Sequence, residues 1–169
     1  MPTAREHFLD WLRDAHAMEE QAIKMLETTA SRIENYPDLK AGLERHLEET
    51  RRQSASIRSC IERLGGDTSV IKEWAMKLTG FAQGASGLFV TDEVVKAGLA
   101  SYTFEHMEIA SYRSLIAAAE ALGEHQTADV CRGILAEEEA MAAWLAQQLP
   151  VVTQTFLQRA GMPNVTAKH

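Results

Sequence analysis

Glu105-His106-Met107-Glu108-Ile109-Ala110-Ser111-Tyr112 has the composition of a helix interior, yet two of its residues conflict with the face they occupy. Val94, Ser101, Glu105, Glu108, Tyr112, Leu115 and Ala119 recur at helical steps and mark a core-facing stripe. Two carboxylates lie in the middle of it. A charged carboxylate turned into a helical core is strongly unfavourable unless something neutralises it. The same anomaly recurs in three other segments. Glu19 interrupts Phe8, Leu12, Ala15, Ala22 and Leu26, while Glu49 lies beside the stripe of Leu39, Leu43, His46, Thr50, Gln53, Ile57 and Cys60. Glu138 interrupts Val130, Ile134, Met141 and Leu145. The spacing repeats, with 30 residues from Glu19 to Glu49, 30 from Glu108 to Glu138, and 89 between the two pairs. A lone glutamate near an apolar stripe is ordinarily a rim residue with a solvated head. Four at matched heights call for protons or cations, and a pair of divalent metal ions meets that need economically.

The breaks between stripes set the topology. The first helix is expected over about 3 to 34, opened by a capping box of Thr3 and Glu6. Asn35-Tyr36-Pro37-Asp38 stops it, and a second helix runs over about 38 to 64 until Gly65-Gly66-Asp67-Thr68. So short a link makes the pair an antiparallel hairpin. A shorter amphipathic helix is expected from Ser69 to about Phe81, with Val70, Ile71, Trp74, Leu78 and Phe81 on its apolar side, decaying through Gly80, Gly84 and Gly87 into a loop ending near Asp92. The third long helix spans about 92 to 122 before Gly123, and the fourth about 125 to 148, where Pro150 interrupts and Val151 to Arg159 forms a last helical piece. The offset of 89 makes the two hairpins look like a duplicated pair. The expected architecture is an all-α antiparallel four-helix bundle with an additional short helix between its hairpins. Residues 1–160 form one domain and 161–169 a flexible C-terminal tail.

Composition excludes several classes. A chain of 169 residues buries roughly 70% of its unfolded surface and needs no disulfide or structural metal to fold. Its 46% hydrophobic and 24% charged residues are ordinary for a globular protein, and 7% aromatic with four prolines argues against a β-sandwich. A net charge of −7 disfavours nucleic acid and anionic membrane surfaces as partners. No apolar run reaches the ~18 residues of a membrane span, and Met1-Pro2-Thr3-Ala4-Arg5-Glu6-His7 does not open a signal peptide. Cys60 and Cys131 fall on apolar faces as small buried hydrophobes. A cytoplasmic protein is expected.

Donors one turn away enlarge the carboxylate group. His46 precedes Glu49 by three residues, Glu105 precedes Glu108 by three, His16 precedes Glu19 by three, and Gln53 follows Glu49 by four. The candidate ligands are therefore Glu19, His46, Glu49, Glu105, Glu108 and Glu138, a hard-oxygen set with imidazole that suits iron or manganese and, less selectively, magnesium or calcium. His106, Glu20, Glu48, Glu137 and Glu139 are rotated away from that face and flank it. Tyr102 and Tyr112 share the Glu105 face, either as core aromatics bonded to a carboxylate or as electron donors. No Gly-rich phosphate loop, Cys-x-x-Cys pair or Gly-x-Ser-x-Gly elbow is present.

Asp14-Ala15-His16-Ala17-Met18-Glu19-Glu20-Gln21, His46-Leu47-Glu48-Glu49-Thr50 with Gln53, Glu105 to Tyr112, and Leu135-Ala136-Glu137-Glu138-Glu139 together resemble the ferritin-like superfamily, and more closely the YciE/YciF-type family of bacterial stress-associated proteins. The resemblance covers roughly residues 3 to 150. It implies a ferritin-like bundle with an extra helix, a site for two divalent metal ions, and a homodimer. The chain departs from the Glu-x-x-His pattern of ferritin-like sites, because the residue three positions after Glu49 is Arg52 and that three positions after Glu138 is Met141. His46 and Glu105, each one turn earlier, would have to substitute. The functional expectation is a di-metal carboxylate protein acting on oxygen, peroxide or Fe(II) in a stress response, as an oxidase, ferroxidase or peroxidase. The alternatives are a metal-free interaction bundle whose dimer face contains Trp74, Phe81, Leu88 and Phe89, and an iron store.

Overall fold

The computed structural model describes residues 1–66, 93–163 and 165–167, and every described regular element is helical. Four helices carry the fold: α1 (Ala4–Arg32), α2 (Pro37–Arg63), α3 (Glu93–Ala121) and α4 (His125–Ala160). The short amphipathic helix expected over Ser69–Phe81, with Trp74 and the glycine loop after it, lies outside the described residues.

Local chemistry sets the boundaries. The Thr3 side chain accepts from the Glu6 amide and the Glu6 carboxylate accepts from the Thr3 amide, so two of the otherwise unsatisfied first-turn donors are paired at the start of α1. Pro37 opens α2, where its missing N–H costs nothing and its fixed φ suits a first turn. Gly65 and Gly123, at φ 75° and 72°, take the left-handed conformation that ends α2 and turns α3 into α4.

α4 corrects the expectation of a break at Pro150. The helix runs through that proline, 36 residues in all, and ends at Ala160 rather than 148. Proline removes its own N–H and strands the carbonyl one turn back, at Ala146. Both Pro150 and Ala146 are exposed, so water can satisfy that carbonyl and the helix tolerates the loss. Val152, beyond the proline, is buried against the bundle and anchors the extension.

Packing fixes the order around the bundle. α1 contacts α2 and α3, and α4 contacts α2 and α3, so α1 lies diagonally across from α4. One apolar cluster joins Phe8 and Leu12 of α1, Ile57 and Ile61 of α2, Leu115 of α3 and Ile134 of α4. A second joins Leu26, Leu39, Leu43, Val94, Leu145 and Val152. The start of α1 thus meets the ends of α2 and α3 and the start of α4, making every neighbouring pair antiparallel. α2 finishes at one end of the bundle and α3 begins at the other, the single long crossover that marks ferritin-like bundles. Each buried Leu or Ile contributes about 1.5–3 kcal/mol of transfer free energy, so these two clusters supply the main cohesion.

Between the clusters lies a polar layer. It sits at mid-height, where all four helices contribute a buried glutamate or histidine. Close approach of α2 to α4 near this level depends on Gly42, since a Cβ there would fall 2.0 Å from the Trp144 ring. No described helix is long and apolar enough to cross a membrane.

Candidate metal centre

The polar layer is built from inward positions of the four stripes. Glu19 comes from α1, His46 from α2, Glu105 and Glu108 from α3, and Glu138 from α4, all almost completely buried. The i, i+3 spacing of Glu105 and Glu108 puts both on one face of α3. One ligand atom each from His46, Glu105, Glu108 and Glu138 lie within 4.8 Å of one another. Of the six residues expected to bind metal, the structure brings these four into one group.

Glu19 is beside them but occupied on one side: Oε1 accepts a short hydrogen bond from the Tyr112 hydroxyl. Glu49 lies apart. Its side chain is 28% exposed, and Oε2 is 3.0 Å from His46 Nδ1. The opposite edge of the imidazole faces the cluster, with Nε2 at 3.3 Å from Glu105 Oε2 and 3.4 Å from Glu138 Oε2.

Proton affinities record the crowding. Burial, assisted by the neighbouring Glu138 and Glu105 charges and opposed by Tyr112, pushes Glu19 up to about 8. Burial also raises Glu105 to about 8, against the pull of His46. Glu108 is driven well above the carboxylate range by burial and then by Glu19, Glu138 and Glu105. Burial favours the neutral form of His46, but the Glu105 and Glu138 carboxylates outweigh it and raise this imidazole to about 11. At Glu138 burial acts upward while His46 and Glu105 act downward more strongly, leaving it below the usual range. One imidazolium therefore stands among four carboxyl groups, a cationic charge too small for the sites around it.

The donor chemistry passes a test of fit to metal. Glu19 Oε2, Glu105 Oε2, Glu108 Oε1 and both oxygens of Glu138 are buried without a hydrogen bond, Glu105 Oε2 and Glu138 Oε2 having the His46 imidazolium as an ion-pair partner at 3.3 and 3.4 Å. Unpaired buried acceptors are rare because each forfeits its hydration. Here they converge at one level of one bundle, a set of hard oxygens beside one imidazole that a divalent cation would fit.

The flanking carboxylates Glu137 and Glu20 and the added donors Gln53 and His16 have structural contacts that spacing alone does not disclose. Gln53 donates to Glu137 at 2.8 Å and ties α2 to α4, while Ser54 donates to Glu20 at 2.7 Å and ties α2 to α1. His16, also buried, has Nε2 3.4 Å from Ser54 Oγ and is not part of the metal-ligand group. His106 is exposed and meets Tyr102 edge-on at 4.6 Å between ring centres. The Tyr112 hydroxyl does bond a carboxylate, and Glu19 on the facing helix is the one it selects. Cys60 and Cys131 are buried and unpaired.

Four antiparallel helices with one long crossover and a mid-height layer of inward carboxylates define a ferritin-like bundle. The chain belongs to the family described as Domain of unknown function (DUF892), whose model matches residues 3–158. Among characterised sequences it is similar to Protein YciF of Escherichia coli strain K12, 32% identical over 148 residues that span 83% of this chain and 86% of that protein. Its structure is similar to the crystal structure of a Xanthomonas campestris pv. campestris protein, with TM-score 0.80, 42% identity, and coverage of 95% of this chain and 100% of that one. The crystal structure of the E. coli stress protein YciF also matches, with TM-score 0.73 and 25% identity over 88% of this chain and 96% of that one. The expected YciE/YciF-type membership and the all-α bundle are both borne out.

Proposed function

We propose that this chain is a di-metal carboxylate protein that carries out redox chemistry on oxygen, peroxide or Fe(II), in a stress response of the kind the name of its E. coli relative indicates. The observation that carries the reading is the group of four buried donors within 4.8 Å of one another, with unpaired carboxylate oxygens turned into the same layer. His46, Glu105, Glu108 and Glu138 would hold the ions, and Glu19 would complete the set from α1. The charge balance favours two divalent ions over one, since Glu19, Glu105, Glu108 and Glu138 bring four negative charges when ionised. Iron or manganese suits an oxygen-rich set with a single imidazole.

Such a metal pair supplies electron transfer and a Lewis-acidic binding point for a small oxidant. The protein's own part is to keep that chemistry dry and confined. Leu12 and Ile57 on one side of the layer, and Leu26 and Leu43 on the other, exclude water from the reacting volume. Tyr112 fixes Glu19 by its hydroxyl and leaves Glu19 Oε2 available as a donor.

The test is an anaerobic Fe(II) or Mn(II) titration followed by oxygen or peroxide. Binding near two ions per chain with a spectral change on oxidation is the expected result, and neither binding nor change overturns the reading. A metal-free interaction bundle is favoured instead if metal stays far below one ion per chain and chelator leaves thermal melting unchanged. Oligomeric state follows from light scattering: the proposed homodimer has twice the 18.7 kDa of the chain, and a large cage would indicate iron storage.

A further inference from the structure

We infer that Glu49 is a positioning residue for His46 and contributes no ligand atom of its own. This rests on the metal reading above and deepens it. The carboxylate meets Nδ1, while Glu105 and Glu138 lie across the ring at Nε2, so the imidazole stands between Glu49 and the cluster. Burial separates the two sides as well. The side chains of His46, Glu105 and Glu138 are at most 2% exposed, whereas Glu49 is 28% exposed. Glu49 is likewise absent from the group of donors that converge within 4.8 Å.

The chemistry follows from the two ring nitrogens. A neutral imidazole has one N–H and one lone pair, and an acceptor at Nδ1 selects the tautomer that carries its hydrogen there. When a metal ion displaces the Nε2 proton of the imidazolium, this is the tautomer retained, with the Nε2 lone pair directed towards Glu105 and Glu138. A carboxylate behind a ligating histidine also stiffens the ring and makes it a better donor. The surroundings leave this task to Glu49. Thr50 Oγ1 bonds the His46 backbone carbonyl at 2.9 Å and holds the helix turn rather than the ring. Glu49 also lies one turn beyond His46 on α2, so a hairpin that folds correctly brings its own orienting carboxylate.

Cobalt(II) titration of the full chain, followed by calorimetry and visible absorption, tests the assignment, with Glu138→Gln as the comparison for loss of a direct ligand. Glu49→Gln retains an acceptor for the Nδ1 hydrogen, so its affinity should fall by less than about tenfold. Glu49→Ala removes the acceptor, and affinity should fall about 10–100-fold. In both variants the number of ions bound and the cobalt absorption bands should match the parent protein, because the atoms touching the ion are unchanged. Glu138→Gln should alter the bands or the stoichiometry. The inference is overturned if Glu49→Gln changes bands or stoichiometry as Glu138→Gln does, or if all three forms of residue 49 bind cobalt equally. A parent protein that binds no cobalt overturns the metal reading itself, and that outcome is visible before any variant is made.

Discussion

Glu108 is the residue at which electrostatic cost concentrates. It is buried, one carboxylate oxygen lacks a hydrogen-bond partner, and Glu19, Glu105 and Glu138 all oppose its ionisation. Glu108→Gln keeps the volume and removes the charge, so the metal-free protein at pH 8 should gain stability on the order of 1 kcal/mol. Metal affinity should fall in the same variant as an anionic oxygen is lost. Denaturant melts beside a binding isotherm measure both, and a loss of metal-free stability would contradict the electrostatic account. The pH profile follows from the same layer. Glu19 and Glu105, raised to about 8, bind protons in the folded state that the unfolded chain releases near 4.5. Between those values the native state holds the extra protons, so stability of the metal-free protein declines as pH rises. His46, raised to about 11 from 6.5, adds to the decline above neutrality with the same sign. Melts at pH 5 and pH 8 should differ in favour of pH 5, and saturating metal should weaken or reverse that preference, because metal competes with those protons. At this scale the sequence was informative about burial: five of the six residues picked by stripe and spacing lie in the polar layer. It did not separate Glu49 from them, since a spacing of three from His46 is equally compatible with two ligands on one face or with one side chain bracing the other.

Helix α4 shows where element-level rules meet their limit. A proline in the last third of a helical stripe reads as a stop, and its local cost is real. What the rule cannot register is that Pro150 and Ala146 both face solvent while Val152 faces the core, a distinction that depends on neighbours α2 and α3. Pro150→Ala should therefore stabilise the fold by about 1–3 kcal/mol by restoring the helical hydrogen bond, measured as a higher thermal midpoint with unchanged helicity. The opposite sensitivity is expected on α2. Gly42→Ala would place a methyl group 2.0 Å from the Trp144 ring, so α2 and α4 must separate or Trp144 must leave its place over Arg45. A loss of about 1–3 kcal/mol is expected in the denaturant midpoint. The other boundaries were legible because capping chemistry is local. Thr3 with Glu6, Pro37 at the head of α2, and glycines at 65 and 123 each act within a few residues, and each occupies its expected place.

For the molecule as a whole, the order of the helices was legible from link lengths, with short connections giving hairpins and a long one giving the crossover. The heights at which side chains meet were less so, because pairing between distant segments is set by how complementary faces interlock. Glu137 and Glu20, placed on the flanks, prove to stitch neighbouring helices by accepting from Gln53 and Ser54. Saturating metal should stabilise the whole bundle through mass action, by about 2.7 kcal/mol per site at a hundredfold excess over Kd, and chelator should remove that increment. The charged waist between two greasy halves also governs alignment. A slip of α4 against α2 by one turn, about 5.4 Å, would carry Glu138 away from His46 and towards the leucines and isoleucines beyond it, stranding a carboxylate among hydrocarbon. Purely apolar neighbours could exchange partners at far lower cost, so the layer that weakens the bundle also acts as its keyway. Replacing all five buried members with Leu or Met should give a chain that melts higher but samples several helix offsets, visible as multiplied amide resonances where the native protein should show a single set.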